Sequence, residues 1–276
     1  MEITSPPAPG PRHDAPDHVL LLHGMGCGPW VWREVVAGLP AHITATAAVI
    51  AGHREGTRLA RLSGRTAPEQ MVDDLERQID ELGVDRLHIV GNSLGGWLAL
   101  RLAERRRALS VLCLAPAGGW RPGSLGERMV VSRFVVGHRV ARRLHRQPGL
   151  LANPQVRRAV LSPVVQDPRR VTLADAQHFV HDMAECQALR AALGSAGARQ
   201  LNAVLFVDAP VTIAWSTEDR VLSGPWAREG FQHLAAEQLE IPRAGHVPML
   251  DVPDVVAGLI RERISAPPAQ AGATGP

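Results

Sequence analysis

The sequence predicts an α/β fold: a doubly wound, mostly parallel sheet with a helical lid inserted into it. Three observations carry this expectation. Short apolar runs alternate with amphipathic ones along residues 18–119 and again along 203–264, the pattern of parallel strands joined by helical crossovers. From Trp120 to about Asn202 helical stretches continue but no clear strand is found. Between residues 87 and 100 an apolar run, a turn bracketed by Gly91 and Gly95, and a Leu/Ala-rich helical run follow one another without a linker. The predicted organisation is a disordered head (1–17), an α/β core (18–119 and 203–264), a helical lid (120–202) and a disordered Pro/Ala/Gly tail (265–276). A chain of 276 residues is long enough for one large core.

Taken in order, His18 to Leu22 reads as a buried strand that ends in His23-Gly24-Met25-Gly26. A short helix follows Trp30 and Trp32, and Thr44 to Ile50 is a second β-rich run. Pro68 opens an amphipathic helix with Met71, Leu75, Ile79 and Leu82 on one face, and Gly83 stops it. The strand Leu87–Asn92 leads through Ser93 into a helix from Leu94 to Arg107, and Leu109–Leu114 is the next strand. Glu127–Arg146 and Leu173–Leu193 are the helical stretches of the lid. Strands return at Val211–Trp215 and Gln238–Ile241, and a last helix spans Val252–Ile264.

Composition narrows the function. Hydrophobic content of 45% with mixed charges describes an ordinary globule. No apolar run reaches the ~20 residues that span a bilayer, and Met1–Asp17 lacks the apolar core of a secretory signal. Cys27, Cys113 and Cys186 are too few and too scattered for a disulfide framework or zinc site, so a reducing cytoplasm is expected. Every cation is Arg, with no Lys, and Tyr is absent, which points to coding bias rather than chemistry. A net charge of +3 gives no general attraction for nucleic acid. No cofactor or metal is called for, and a monomer or homodimer is expected.

The candidate chemistry centres on Gly91-Asn92-Ser93-Leu94-Gly95. A turn this tight between strand and helix holds the serine in strained torsions at the sheet rim and demands small residues two before and two after it. The helix that follows aims its positive end at any oxyanion forming there. In parallel sheets ligands bind beyond the carboxyl ends of strands. Asp219, in Trp215-Ser216-Thr217-Glu218-Asp219, and His246, in Arg243-Ala244-Gly245-His246, both follow strands and fall on that edge. Glu218 is the neighbour that could replace Asp219. Asp251 and Asp254 sit at the start of the last helix and read as caps or dipole partners, and Asp208 precedes its strand at the wrong end.

The motifs HGMG, GNSLGG, the Asp219 loop and AGH, in that order over His18–Ile264, resemble the α/β-hydrolase superfamily, specifically its lidded serine esterases and C–C hydrolases. The resemblance implies a nucleophile at Ser93, a base at His246 and an acid at Asp219. It also implies oxyanion-hole amides at Met25 and Leu94, and a structural, bracing role for His23. The implied activity is hydrolysis of an ester, thioester or lactone of a mostly apolar small molecule. The alternatives are C–C hydrolysis of a vinylogous diketone, or a non-hydrolytic lyase, cyclase or ligand-binding protein on the same fold. Two departures are visible. Ala51-Gly52-His53-Arg54-Glu55-Gly56 replaces an Asp-x-x-Gly-x-Gly segment, and Val247 stands where C–C hydrolases carry Trp after the histidine. The second places ester hydrolysis ahead. Halide- and epoxide-processing relatives use an Asp nucleophile, and Ser93 argues against them.

Trp30, Trp32 and Trp120 are candidates for an apolar substrate pocket, with core packing as the alternative. Trp97, four residues past Ser93, reads as core. The lid holds thirteen Arg against five acidic residues between Trp120 and Gln200. Such a surplus could favour an anionic or carrier-bound substrate, or a membrane surface. Neighbours such as Arg142 and Arg143 cannot both point inward, so most of this charge is expected to face water.

Overall fold

The computed structural model describes residues 13–60, 66–192, 201 and 206–265. Six strands form one sheet: β1 (His13–Leu22), β2 (Thr44–Ala47), β3 (Val84–Asn92), β4 (Ala108–Leu114), β5 (Val211–Ser216) and β6 (Ala236–Ile241). Their order is β2-β1-β3-β4-β5-β6, and every pairing is parallel. Parallel registry brings Leu22 opposite Gly91, Asn92 opposite Leu114 and Ser216 opposite Ile241. The loops after β1, β3 and β5 therefore leave from one edge. The central strands are apolar because they are covered on both faces: residues 19–22 of β1 and all of β5 are buried. The edge strand β6 is mostly exposed.

Helices cover the sheet. α1 (Arg33–Ala37) packs against α9 (Pro253–Ser265), while α2 (Ala67–Glu81) packs against α3 (Leu94–Glu104). α2 begins in a capping box, where the Thr66 hydroxyl accepts from the Glu69 amide and the Glu69 carboxylate accepts from the Thr66 amide at 2.7 Å. It buries Met71, Val72, Leu75 and Ile79. α3 has little choice of face, since Leu94 to Leu100 is buried throughout.

Between β4 and β5 the described residues 120–192 form helices only: α4 (Leu125–His145), α5 (Pro154–Leu161), α6 (Leu173–Glu185) and α7 (Gln187–Ala192). The single helix expected over 173–193 is broken at Cys186, whose ψ of 104° leaves helical space. Its buried Sγ accepts from the Leu189 amide and starts α7. α5 was not separated from its surroundings in the sequence; Asn153 caps it by accepting from the Gln155 amide.

The predicted head is corrected at its inner end. β1 begins at His13, where His13 and Ala15 pair with Val84 and Leu87 through register shifts, and Asp14 pairs with Arg86. Pro16 and two aspartates hide this strand from pattern reading, because a bulged strand tolerates them where a regular one does not. Residues 1–12 of the expected head and 266–276 of the expected tail lie outside the described residues. Among the described residues no helix is long and apolar enough to cross a membrane.

Candidate active site

Ser93 sits between β3 and α3 with φ 54° and ψ −114°, a region that L-residues rarely enter. Its neighbours explain how the strain is held. A Cβ on Gly91 would lie 2.1 Å from the Gly95 carbonyl oxygen, and one on Gly95 would lie 2.3 Å from the Leu22 carbonyl oxygen. Only glycine permits β1, β3 and α3 to meet this closely. The Ser93 amide donates to the Leu114 carbonyl at 2.9 Å, and the Ser93 carbonyl accepts from the Ala117 and Trp97 amides. Ser93 is thus pinned to β4 and to its own helix. Because it precedes the first residue of α3, its hydroxyl stands at the positive end of that helix.

His246 and Asp219 arrive on the loops after β6 and β5. His246 Nδ1 lies 2.8 Å from Asp219 Oδ2, with both side chains almost wholly buried. The other carboxylate oxygen accepts from the Val221 and Leu222 amides at 2.7 and 2.8 Å. Burial alone would raise the Asp219 pKa, but the His246 ring and these donors outweigh it and hold the carboxyl below its ordinary value. An ionised Asp219 requires a proton on His246 Nδ1, which leaves Nε2 as the free basic nitrogen. Nε2 is buried and has no hydrogen-bond partner, and His246 and Ser93 line the same cavity. The structure therefore brings Ser93, Asp219 and His246 together, while Glu218 is exposed.

Two side chains that pattern reading undervalued set this geometry. Asn92 donates through Nδ2 to the Leu114 carbonyl at 3.1 Å and to the His246 carbonyl at 2.9 Å, so the end of β3 grips the histidine loop. Asp251 is buried in α8 (Pro248–Asp251) and accepts three amides: Gly245 at 2.8 Å, Gln166 at 2.8 Å and Asp167 at 3.1 Å. Read as a cap or dipole partner, it instead ties the histidine loop to the helical insertion. Asp254 is exposed in the first turn of α9, as a dipole partner would be.

Met25 and Leu94 both border space next to Ser93. Leu94 opens α3, so its amide is among those a helix leaves without an internal partner. The Met25 loop is braced from below by His23, which is fully buried. Its Nε2 accepts from the Ile50 amide at 3.4 Å, so Nδ1 carries the proton and donates to the Gly24 carbonyl at 3.0 Å. His53 meets the His23 ring edge-on with centroids 4.8 Å apart. Burial, with the neighbouring His53 ring adding to it, pushes His23 down to about 3; burial pushes His53 down to about 4. Both are neutral braces rather than acids or bases at neutral pH. The three cysteines are buried, and burial raises their thiol pKa, which keeps them protonated and unreactive at neutral pH.

A cavity of about 430 Å³ opens over Ser93 and His246, walled by Phe134, Val140, Val164 and Phe179 of the insertion. A second cavity, about 50 Å³, meets Ser93 from the side of Leu94 and Trp120. Of the three tryptophans expected near substrate, only Trp120 borders either space. Trp32 is fully buried in the core. Trp30 turns aside, donating its Nε1–H to Asp182 at 2.7 Å and stacking on His178. The turn Pro29–Trp32 rotates both away from the loop they follow in sequence. Arg139, Arg142 and Arg143 of α4, and Arg146 just after it, are all exposed, as the crowding of the arginines requires. Among the described residues no group of His, Cys, Asp and Glu converges to hold a metal ion.

A single open parallel sheet, a serine at a strained strand–helix turn and an acid–histidine pair on later loops define a hydrolase of the α/β type. The chain belongs to the alpha/beta hydrolase family, whose sequence profile it matches over residues 19–259. It is 34% identical over 198 residues to the epoxide hydrolase EphH of Mycobacterium tuberculosis, covering 69% of this chain and 91% of that one. Among solved structures it is similar to the 2-hydroxy-6-oxo-6-phenylhexa-2,4-dienoate hydrolase of a Rhodococcus strain (TM-score 0.69, 20% identity, 92% of each chain). It is also similar to the enol-lactonase of Burkholderia xenovorans (TM-score 0.65, 24% identity, 90% of this chain and 91% of that one). These two likenesses bear on the fold alone.

Proposed function

We propose that the protein is a serine hydrolase that cleaves an ester, thioester or lactone of a mostly apolar small molecule through an acyl-enzyme. The observation that carries this reading is the 2.8 Å contact between His246 Nδ1 and Asp219, with Nε2 unpartnered and both His246 and Ser93 lining one cavity. A serine hydroxyl is a weak nucleophile near neutral pH and needs such a base. His246 Nε2 takes the Ser93 proton as Oγ attacks the carbonyl carbon, and Asp219 stabilises the imidazolium that results. The Met25 and Leu94 amides receive the oxyanion, each worth about 3 kcal/mol in related sites. His246 then protonates the leaving group, and a water deprotonated by His246 releases the acid. The inserted segment acts as a lid, and its side chains Phe134, Val140, Val164 and Phe179 exclude water from these steps.

The likeness to an epoxide hydrolase does not transfer as an activity. A carboxylate that opens an epoxide forms an ester, which water can cleave. Ser93 would form an ether, which this machinery does not hydrolyse. Val247 also keeps the C–C reading second. The test is labelling with a fluorophosphonate together with turnover of a nitrophenyl ester, a styrene oxide and a coloured dienone. Labelling and ester turnover are expected, both lost in Ser93→Ala. Dienone or epoxide turnover that exceeds ester turnover would overturn the assignment.

A further inference from the structure

Two spaces of unequal size meet at Ser93, and the position of the base sorts them. Ser93 and Met25 border both cavities, whereas His246 borders only the 430 Å³ one and Leu94 only the 50 Å³ one. In acyl transfer the proton taken from Ser93 Oγ is handed to the leaving oxygen as the carbonyl C–O bond breaks. The leaving alcohol therefore lies on the imidazole side, in the large cavity. The acyl carbon stays bonded to Ser93 Oγ, and its oxygen points at the Met25 and Leu94 amides. Its remaining substituent enters the small cavity, which Trp120, Val130 and Leu222 close.

We propose that the substrates are short-acyl esters, acetyl or propionyl, of bulky apolar alcohols, and that Trp120 sets the limit on acyl length. This rests on the nucleophilic role of Ser93 proposed above. Volume supports the division. An apolar cavity of about 150 Å³ accommodates a benzene ring, so a space one-third that size accepts one or two carbons beyond the carbonyl. The large cavity falls within the range of about 300–1,000 Å³ that holds drug-sized ligands. Trp120, Val130 and Leu222, which border the small space, are each at most 5% exposed, so their side chains are held by packing. The balance is that of ester hydrolysis: the alcohol leaves with the Ser93 proton, and water supplies hydroxide to the acyl carbon and a proton to His246. The bond from the acyl carbon to Ser93 Oγ then breaks as His246 returns that proton to Oγ, and the short acid is released.

Hexyl acetate and ethyl hexanoate test this directly, because they are isomers that differ only in which side of the ester carries the chain. Hydrolysis would be followed by pH-stat, with fluorophosphonate labelling of Ser93 run in parallel. The wild type is expected to favour hexyl acetate at least 50-fold in kcat/KM. Trp120→Leu is expected to narrow that preference at least tenfold by raising the rate on ethyl hexanoate. Val130→Ala provides the same reading with a smaller cut if Trp120→Leu does not fold. Labelled protein that prefers ethyl hexanoate, or whose preference neither variant moves, overturns the assignment of the two spaces while leaving the nucleophile in place. Protein that is neither labelled nor active on either isomer overturns the nucleophile itself, and the inference falls with it.

Discussion

Replacing Asp251 by Ala removes the acceptor for three amides at once. The Gly245 amide is buried, and its partner Oδ2 also serves Gln166, while the Gln166 and Asp167 amides lie nearer solvent. An orphaned buried donor costs about 1–3 kcal/mol, and the two outer amides recover part of theirs from water. The expected loss is about 3 kcal/mol, a large share of the ~5–15 kcal/mol that holds a domain together. For a chain of this size that loss corresponds to a melting temperature lower by about 5 °C. Asp251→Asn keeps one acceptor oxygen, which can still serve Gly245 and Gln166, so it should lose about half as much. Because Gly245 immediately precedes His246, kcat on a soluble ester should drop at least tenfold in the Ala variant and recover most of the way in Asn. Melting by circular dichroism and ester kinetics well below the transition report both effects. An Ala variant that melts within 2 °C of wild type with full kcat would refute the idea that this carboxylate holds the histidine loop.

Acid should destabilise the protein through the two buried histidines. His23 and His53 have folded pKa values of about 3 and 4 against an unfolded value of 6.5. Below pH 6.5 the unfolded chain therefore binds more protons, and stability falls as pH falls. At pH 5 the cost is on the order of 2 kcal/mol for each ring, which a lower urea midpoint at pH 5 than at pH 7.5 would register. Asp219 adds nothing in this window, since its depressed pKa lets stability drain away only below about pH 3.8. Gly95→Ala should lower stability by about 3 kcal/mol or more and abolish labelling of Ser93. Its methyl would press on the Leu22 and His23 carbonyls at 2.3 and 2.7 Å; thermal melts and the labelled fraction measure both.

What the sequence made legible was whatever sits directly after a strand. Ser93, Asp219 and His246 each follow a β-run by a few residues, so the parallel sheet alone places them on one edge. Residues whose roles depend on contacts across the chain were hidden. Asp251 looks like any acid at a helix start until the Gln166 segment, 85 positions away, folds onto it. Trp30 and Trp32 neighbour the Met25 loop in sequence, yet one tight turn commits Trp32 to the core and Trp30 to Asp182. The break at Cys186 was invisible because a buried thiol accepting an amide leaves no trace in periodicity. Asn92, read only as part of a turn motif, holds the loop that carries His246.

The stitching at Asp251 has a kinetic consequence. The Val247 amide also donates to the Val164 carbonyl at 2.9 Å, and Arg220 to the Ser162 carbonyl at 2.6 Å. One border of the insertion is thus laced to the loops that carry Asp219 and His246. Under the triad proposed above, a fluctuation parting this border from Ser93 would idle the enzyme for as long as it lasted. Substrate entry and product exit would then be expected at the other margin of the cavity.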